Sequence, residues 1–261
     1  MKITLLGTSH GDPTMTRLQS ASLIETGGRR YLIDAGEGIN TTLIRRKTGP
    51  ETLSAIFITH MHLDHSGGLP ELMELALKYR SRQPEIELPV YLPEERAGII
   101  LRQWLEVNYM RDPEINPIRI YSSGTIFDDG ILKVEAFPTL HLAWSSGDPA
   151  AKSYGFKITA GKKTAFFTGD LAGDFSDFPF EAVSGCDVLI SELVHFSPEK
   201  ARKKLANLKI GRLIFNHLGN RWQTIEGENE IKSLFSDIGF SVETGFDGMN
   251  IDVGNFMPGT T

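Results

Sequence analysis

The sequence predicts an α/β fold, a layered sandwich of strands and helices, and three observations carry that expectation. Short runs rich in Ile, Val, Leu and Phe, each of strand length, recur along the chain and close on a small or polar residue. Stretches with apolar residues at 3.6-residue spacing lie between them. Strands and helices are numerous enough for the helices to cover the outer faces of the strands. Early strands are predicted over Lys2 to Leu6, Ser22 to Glu25 and Arg30 to Ile33, and later ones around 131–137, 154–168 and 187–215. Gly68 to Tyr79 reads as a helix, with Leu69, Leu72, Met73, Leu75, Ala76 and Tyr79 on one side and Pro70 in the tolerated first turn. Pro93 to Tyr109 reads as a second. Ser197 as N-cap and Pro198 as first helical residue open a third, running to about Asn207. Glu226 to Ile238 makes a fourth, stopped before Gly239.

Composition narrows the class. The chain has 261 residues, 40 % of them apolar and 23 % charged, which suits a folded globular protein and excludes a disordered or fibrous one. No internal repeat, low-complexity tract or linker interrupts it, so residues 1–261 are expected to form a single domain. The single cysteine, Cys186, can form no internal disulfide and no cysteine-based zinc cluster. The first residues turn polar after Gly7, too soon for a signal peptide, and no later stretch reaches the ~20 apolar residues of a membrane helix. A cytoplasmic protein with no membrane partner is expected. A formal net charge of −6 argues against a broad basic groove for nucleic acid, and leaves room for a locally positive site.

The seven histidines carry the chemistry. Five apolar runs deliver a metal-ligand type of side chain at their C-terminal ends. Tyr31 to Ile33 ends at Asp34, Ile56 to Thr59 at His60, Val134 to Leu140 at His141, Ala165 to Gly169 at Asp170, and Leu213 to Asn216 at His217. The second run opens His60-Met61-His62-Leu63-Asp64-His65, which places four ligand-type side chains within six residues. A tight loop closed by Ser66-Gly67-Gly68 can turn alternate side chains towards one point, His60 and His62 to one ion, Asp64 and His65 to a neighbour. Imidazole and carboxylate ligands suit Zn²⁺ first, with Mn²⁺ or Fe²⁺ as alternatives. A single histidine at a strand end is more often an ordinary hydrogen-bonded residue than a ligand, so His141 and His217 draw their reading from the motif beside them.

The HxHxDH string after a strand resembles the signature of the metallo-β-lactamase superfamily of metal-dependent hydrolases, and the other strand-end residues fall in the order of that superfamily. The resemblance implies a four-layer αββα sandwich with two divalent ions at the edge between its sheets. It implies His60, His62 and His141 at the first ion, Asp64, His65 and His217 at the second, and Asp170 as the carboxylate shared by both. Asp34, in Asp34-Ala35-Gly36-Glu37-Gly38, resembles the aspartate that orients a ligand histidine; the plainer reading is a strand terminator in a Gly-rich turn. Two such ions acidify a water lying between them and stabilise negative charge on the attacked centre, and in this superfamily the residue matching Asp64 helps orient that water.

Leu6-Gly7-Thr8 near the start, the Asp34 to Gly38 stretch and Thr168-Gly169-Asp170 resemble the ribonuclease Z and phosphodiesterase branch, which implies phosphodiester hydrolysis. In that branch a Glu after a strand and a later His before a helix cooperate in cleavage, a role that Glu192 and His195 match with only two residues between them; the alternative for His195 is a helix-flanking histidine facing solvent. His10 either lines the mouth of the site or is an exposed turn residue. The branch's basic arm for transfer RNA has no counterpart between Gly68 and His141, and Asn216 to Trp222 keeps only an arginine and an aromatic of the branch's last motif. A small phosphodiester or nucleotide is therefore the expected substrate rather than folded RNA. Ala143 to Pro149 follows a ligand directly and is expected to shape the pocket. Lactone or thioester hydrolysis and non-catalytic metal sensing are the competing functions, and a homodimer is compatible with the family.

Overall fold

In the computed structural model, which describes residues 1–12, 14–80, 87–110 and 116–254, fourteen strands form two seven-stranded sheets. The strands are β1 Lys2–Gly7, β2 Ala21–Thr26, β3 Arg29–Ile33, β4 Leu53–Phe57, β5 Val90–Leu92, β6 Ile118–Ile120, β7 Gly124–Asp128, β8 Lys133–Thr139, β9 Ser153–Ala160, β10 Lys163–Phe167, β11 Val188–Leu193, β12 Arg212–Leu218, β13 Ser241–Thr244 and β14 Asn250–Asp252. One sheet runs β14-β1-β2-β3-β4-β5-β6 and the other β13-β12-β11-β10-β9-β8-β7. The helices are α1 Ile39–Arg45, α2 Leu63–Ser66, α3 Leu69–Arg80, α4 Glu95–Val107, α5 His141–Ser146, α6 Phe180–Val183, α7 Pro198–Leu205 and α8 Ile225–Leu234. The expected domain over 1–261 extends past Gly254 into 255–261, which lie outside the described residues.

Period-two alternation sorts each central strand between two cores. Ile3, Leu5, Tyr31, Ile33 and Phe57 from the first sheet meet Val134, Phe156, Ile158, Phe167, Ile190 and Ile214 from the second in the inter-sheet core. Their neighbours Leu6, Leu32 and Ile56 point the other way, onto Ile39, Leu43, Leu72, Met73 and Leu101 of α1, α3 and α4. On the far side Phe166, Leu189, Leu213 and Phe215 pack under Ala201, Leu205 and Ile231 of α7 and α8. Strands buried on both faces are the reason these runs read as near-continuous apolar sequence. The result is the four-layer αββα sandwich.

The helix caps follow local chemistry. Ser197 accepts from the Lys200 backbone N–H, with Pro198 at the first helical position, and Thr224 caps α8 through Gly227 N. α8 ends at Leu234 rather than Ile238, since Phe235 already leaves the helical range, with φ −106°. β3 with β4 and β10 with β11 and β12 are parallel pairs. Their C-terminal ends therefore gather along one edge of the sandwich, where the ligand-type residues sit.

Candidate metal centre

The residues at that edge form two adjoining groups. His60, His62, His141 and Asp170 offer ligand atoms lying within 4.8 Å of one another, and Asp64, His65 and His217 do the same beside them. Asp170 touches both groups: its Oδ2 is 3.7 Å from His60 Nε2, 3.7 Å from His141 Nε2 and 3.4 Å from His217 Nε2, and its Oδ1 is 3.4 Å from His65 Nε2. All are buried except His62.

Local structure explains how each arrives. His60 lies just past β4, and Leu63–Ser66 form a single helical turn that swings Asp64 and His65 inward. His141 opens α5 instead of ending β8, so its ring sits on the first turn of a helix. Asp170 follows Gly169, whose φ of 58° and the nearness of the Tyr154 carbonyl, 2.3 Å from where a Cβ would lie, exclude any side chain. His217 is the extra residue of a bulge in β12: Glu192 pairs with Asn216 and Leu193 with Leu218, leaving His217 out of register at φ 47° with its ring turned to the site.

Oxygen atoms behind the rings fix their orientation. Asp34, itself at φ 59°, holds His65 Nδ1 at 2.8 Å. It also accepts from the Thr59 backbone N–H at 2.8 Å and from the Thr59 hydroxyl at 3.0 Å. A Thr59 hydroxyl that donates to Asp34 can only accept from His60 Nδ1, at 3.1 Å, which leaves the His60 lone pair on Nε2. Ser20 Oγ stands 2.8 Å from His217 Nδ1. In consequence His60 Nε2, His65 Nε2 and Asp170 Oδ1 are buried with no hydrogen-bond partner among the described residues. Buried polar atoms without partners are costly, and a cation between them would satisfy all three, so the residues present fit divalent metal ions.

The electrostatics prepare His60, His141 and Asp170 for a cation, whereas His65 holds a proton that a cation would have to displace. Burial, then the charge of His65, pushes His60 well below 6.5, and burial lowers His141 to about 4, so both offer neutral imidazoles. Burial opposes the charge on His65, but Asp170 and Asp34 outweigh it and raise that ring. Asp170 resists the upward push of burial and is held well below 3.8 by the charges of His217 and His65.

Beside the two groups stands a carboxylate–imidazole couple. Glu192 is buried, and its oxygens accept from the backbone N–H of Leu171, Val194 and His195 at 2.8, 2.9 and 3.0 Å and from His195 Nδ1 at 2.9 Å. His195 is therefore partnered by Glu192 rather than by solvent, and its ring lies 4.4 Å from that of His141. Burial works to lower its pKa, but the hydrogen bond and charge of Glu192 lift it to about 9. His10 is half-buried, with Nε2 2.9 Å from Asn220 Oδ1. Its loop lines the mouth, since a Cβ on neighbouring Gly11 would lie 3.7 Å from Asp64 Oδ2.

Three residues of the centre escaped sequence reasoning. Ser20 reads as a loop serine before a strand, Thr59 as a strand residue, and Asp177 as a surface acid. Asp177 accepts from Leu140 N at 2.6 Å and Ala172 N at 3.1 Å, tying the segment before His141 to the segment after Asp170. Only the turn-like run Gly173-Asp174-Phe175-Ser176-Asp177 hinted at it.

Comparison with known proteins places this geometry. A family model described as a β-lactamase superfamily domain matches residues 29–218, more than half of the chain and the stretch that holds every ligand-type residue of both groups. The chain belongs to the β-lactamase superfamily. Within that superfamily it is 39 % identical over 148 residues to ribonuclease Z of Archaeoglobus fulgidus, covering 56 % of this chain and 46 % of the relative. It is 34 % identical over 170 residues to ribonuclease BN of Escherichia coli, covering 60 % and 49 %. The chain spans about half the length of the curated relatives it matches. Solved structures share the superfamily fold across almost the whole chain. A metallo-β-lactamase fold protein of Bacillus subtilis, YhfI, superposes with a TM-score of 0.75 at 20 % identity, covering 96 % of this chain and 99 % of that one. The short form of human tRNase Z does so with a TM-score of 0.71 at 23 % identity, covering 97 % and 99 %.

Proposed function

We propose that the chain is a dinuclear metal-dependent hydrolase of small phosphodiesters. The observation that carries this reading is Asp170, buried between the two ligand groups and within 3.7 Å of four histidine rings. A shared carboxylate at that position suits two cations side by side, whereas a single structural ion needs one closed set. His60, His62 and His141 would hold one ion, Asp64, His65 and His217 the other, and Zn²⁺ matches the nitrogen and oxygen donors. When bound, such a pair supplies Lewis acidity for a phosphoryl oxygen and acidifies water.

The remaining work falls to the chain's own residues. Asp34, Thr59 and Ser20 hold the rings of His65, His60 and His217 in place before substrate arrives. Glu192 anchors His195 through Nδ1, and with a pKa near 9 the ring carries a proton at neutral pH. His195 then donates that proton to the departing oxygen of the ester, the step a phosphodiester with a poor leaving group needs most. The ribonuclease names of the curated relatives support a phosphodiester over a carbonyl substrate. The test is turnover of bis-p-nitrophenyl phosphate against a lactone and a thioester, with metal content measured on the same sample. Turnover of the phosphodiester is expected; hydrolysis of a carbonyl substrate alone, at full metal occupancy, would overturn the assignment.

A further inference from the structure

The rim of the metal centre carries an aromatic ring that hydrolysis itself leaves without a task. Trp144 lies one turn after His141 on α5, and at this i,i+3 spacing the two side chains share a face of the helix. The indole is 60 % exposed, yet it is seated. Gly173, three residues past Asp170, leaves it room: a Cβ there would come within 2.8 Å of Trp144 Cη2 and 3.1 Å of the His195 carbonyl oxygen. One edge of the ring thus rests on bare backbone of the loop that follows Asp170, beside His195.

The other two tryptophans are disposed differently. Trp222 is buried beneath the Arg221 guanidinium, 4.6 Å from its ring, and Trp104 lies on α4, which contributes no residue to either ligand group. An indole fixed along one edge and open over most of its surface loses little freedom when a second planar ring stacks on it. Stacking of this kind tolerates any base, since every base has a π-face.

We propose that Trp144 is a stacking shelf for a nucleobase, so that the substrate is a nucleotide-type phosphodiester with its phosphoryl group at the metal centre and its base on the indole. This deepens the phosphodiesterase reading and rests on it for the placement of the phosphoryl group. Gly173 serves the shelf by keeping the backbone low beneath the ring.

The experiment compares the affinities of metal-loaded protein for adenosine 5′-monophosphate and ribose 5-phosphate, which differ only in the base, in the native chain and in Trp144→Ala and Trp144→Phe. The native chain should prefer the nucleotide by roughly tenfold, the size of one base–aromatic stack. Trp144→Ala should bring the ratio close to one by weakening the nucleotide alone, and Trp144→Phe should keep most of the preference. Equal affinities in the native chain, an unchanged ratio in Trp144→Ala, or a parallel loss of both ligands, which would mean that the indole merely props α5, would each overturn the shelf. Turnover of bis-p-nitrophenyl phosphate, scored separately, keeps the two ideas apart. Turnover without base preference defeats the shelf alone, and base preference lost in Trp144→Ala without turnover defeats the hydrolase reading alone.

Discussion

The two ligand groups differ in how firmly the scaffold holds them. Asp64, His65 and His217 are all buried, and the outer nitrogens of both rings are braced, His65 by Asp34 at 2.8 Å and His217 by Ser20 at 2.8 Å. In the other group only His60 has such a brace, from Thr59. His62 is exposed, its Nδ1 meets His141 Nε2 at 3.3 Å, and His141 Nδ1 is buried with no partner among the described residues. Both groups are assembled without an ion, but the rings of the first are held from behind by oxygen atoms and two rings of the second are not. Rigid outer partners are worth about 10–100-fold in metal affinity, so the braced group should fill first and the looser one second.

The largest effect should come from removing what the two groups share. Asp170→Asn should cost about 10³-fold in turnover, several kcal/mol of charge stabilisation, and should lower metal content at both groups; steady-state kinetics with elemental analysis checks this. Next comes His195, which touches the looser group through His141 and belongs to neither. His195→Ala should lower kcat by about 10²-fold or more for an alkyl phosphodiester and far less for a p-nitrophenyl ester, whose leaving group needs no proton, with metal content unchanged.

Asp34→Ala should weaken the braced group by about 10–100-fold, measured by competitive chelator titration, and Ser20→Ala should fall at the lower end of that range. Either change should erase the difference in filling order. The smallest effect is on pH dependence. Because Glu192 raises His195 to about 9, the protonated ring persists through neutral pH and is lost as pH rises through that value. The alkaline limb of kcat should therefore move to lower pH in Glu192→Gln, read from a pH–rate profile.

Within both groups the ligands differ from one another in how readily sequence revealed them. His60, His62, Asp64 and His65 stand within six residues and announce themselves, because one loop must carry four ligands. His141 and Asp170 follow apolar runs, and the order of the elements makes sense of them once the motif is known. Burial on both faces makes Tyr31, Leu32 and Ile33 one continuous apolar run, so the buried strands were visible in outline, while their pairing across two sheets was not. The bulge that aims His217 depends on the register of β11 against β12, which no local pattern encodes. Ser20 meets His217 from 197 residues away, and Asp177 binds two backbone amides in segments that are separate in sequence. Such contacts are properties of the assembled fold, so the residues that brace the centre were harder to find than those that line it.

The proposed function stands or falls with a paired-ion centre sharing Asp170. Calorimetric titration of metal-stripped protein with Zn²⁺, paired with elemental analysis of the saturated sample, tests it most directly. About two equivalents per chain should bind in two resolved steps, both weakened in Asp170→Asn. A single equivalent in the native chain, or two steps that Asp170→Asn leaves untouched, would contradict it.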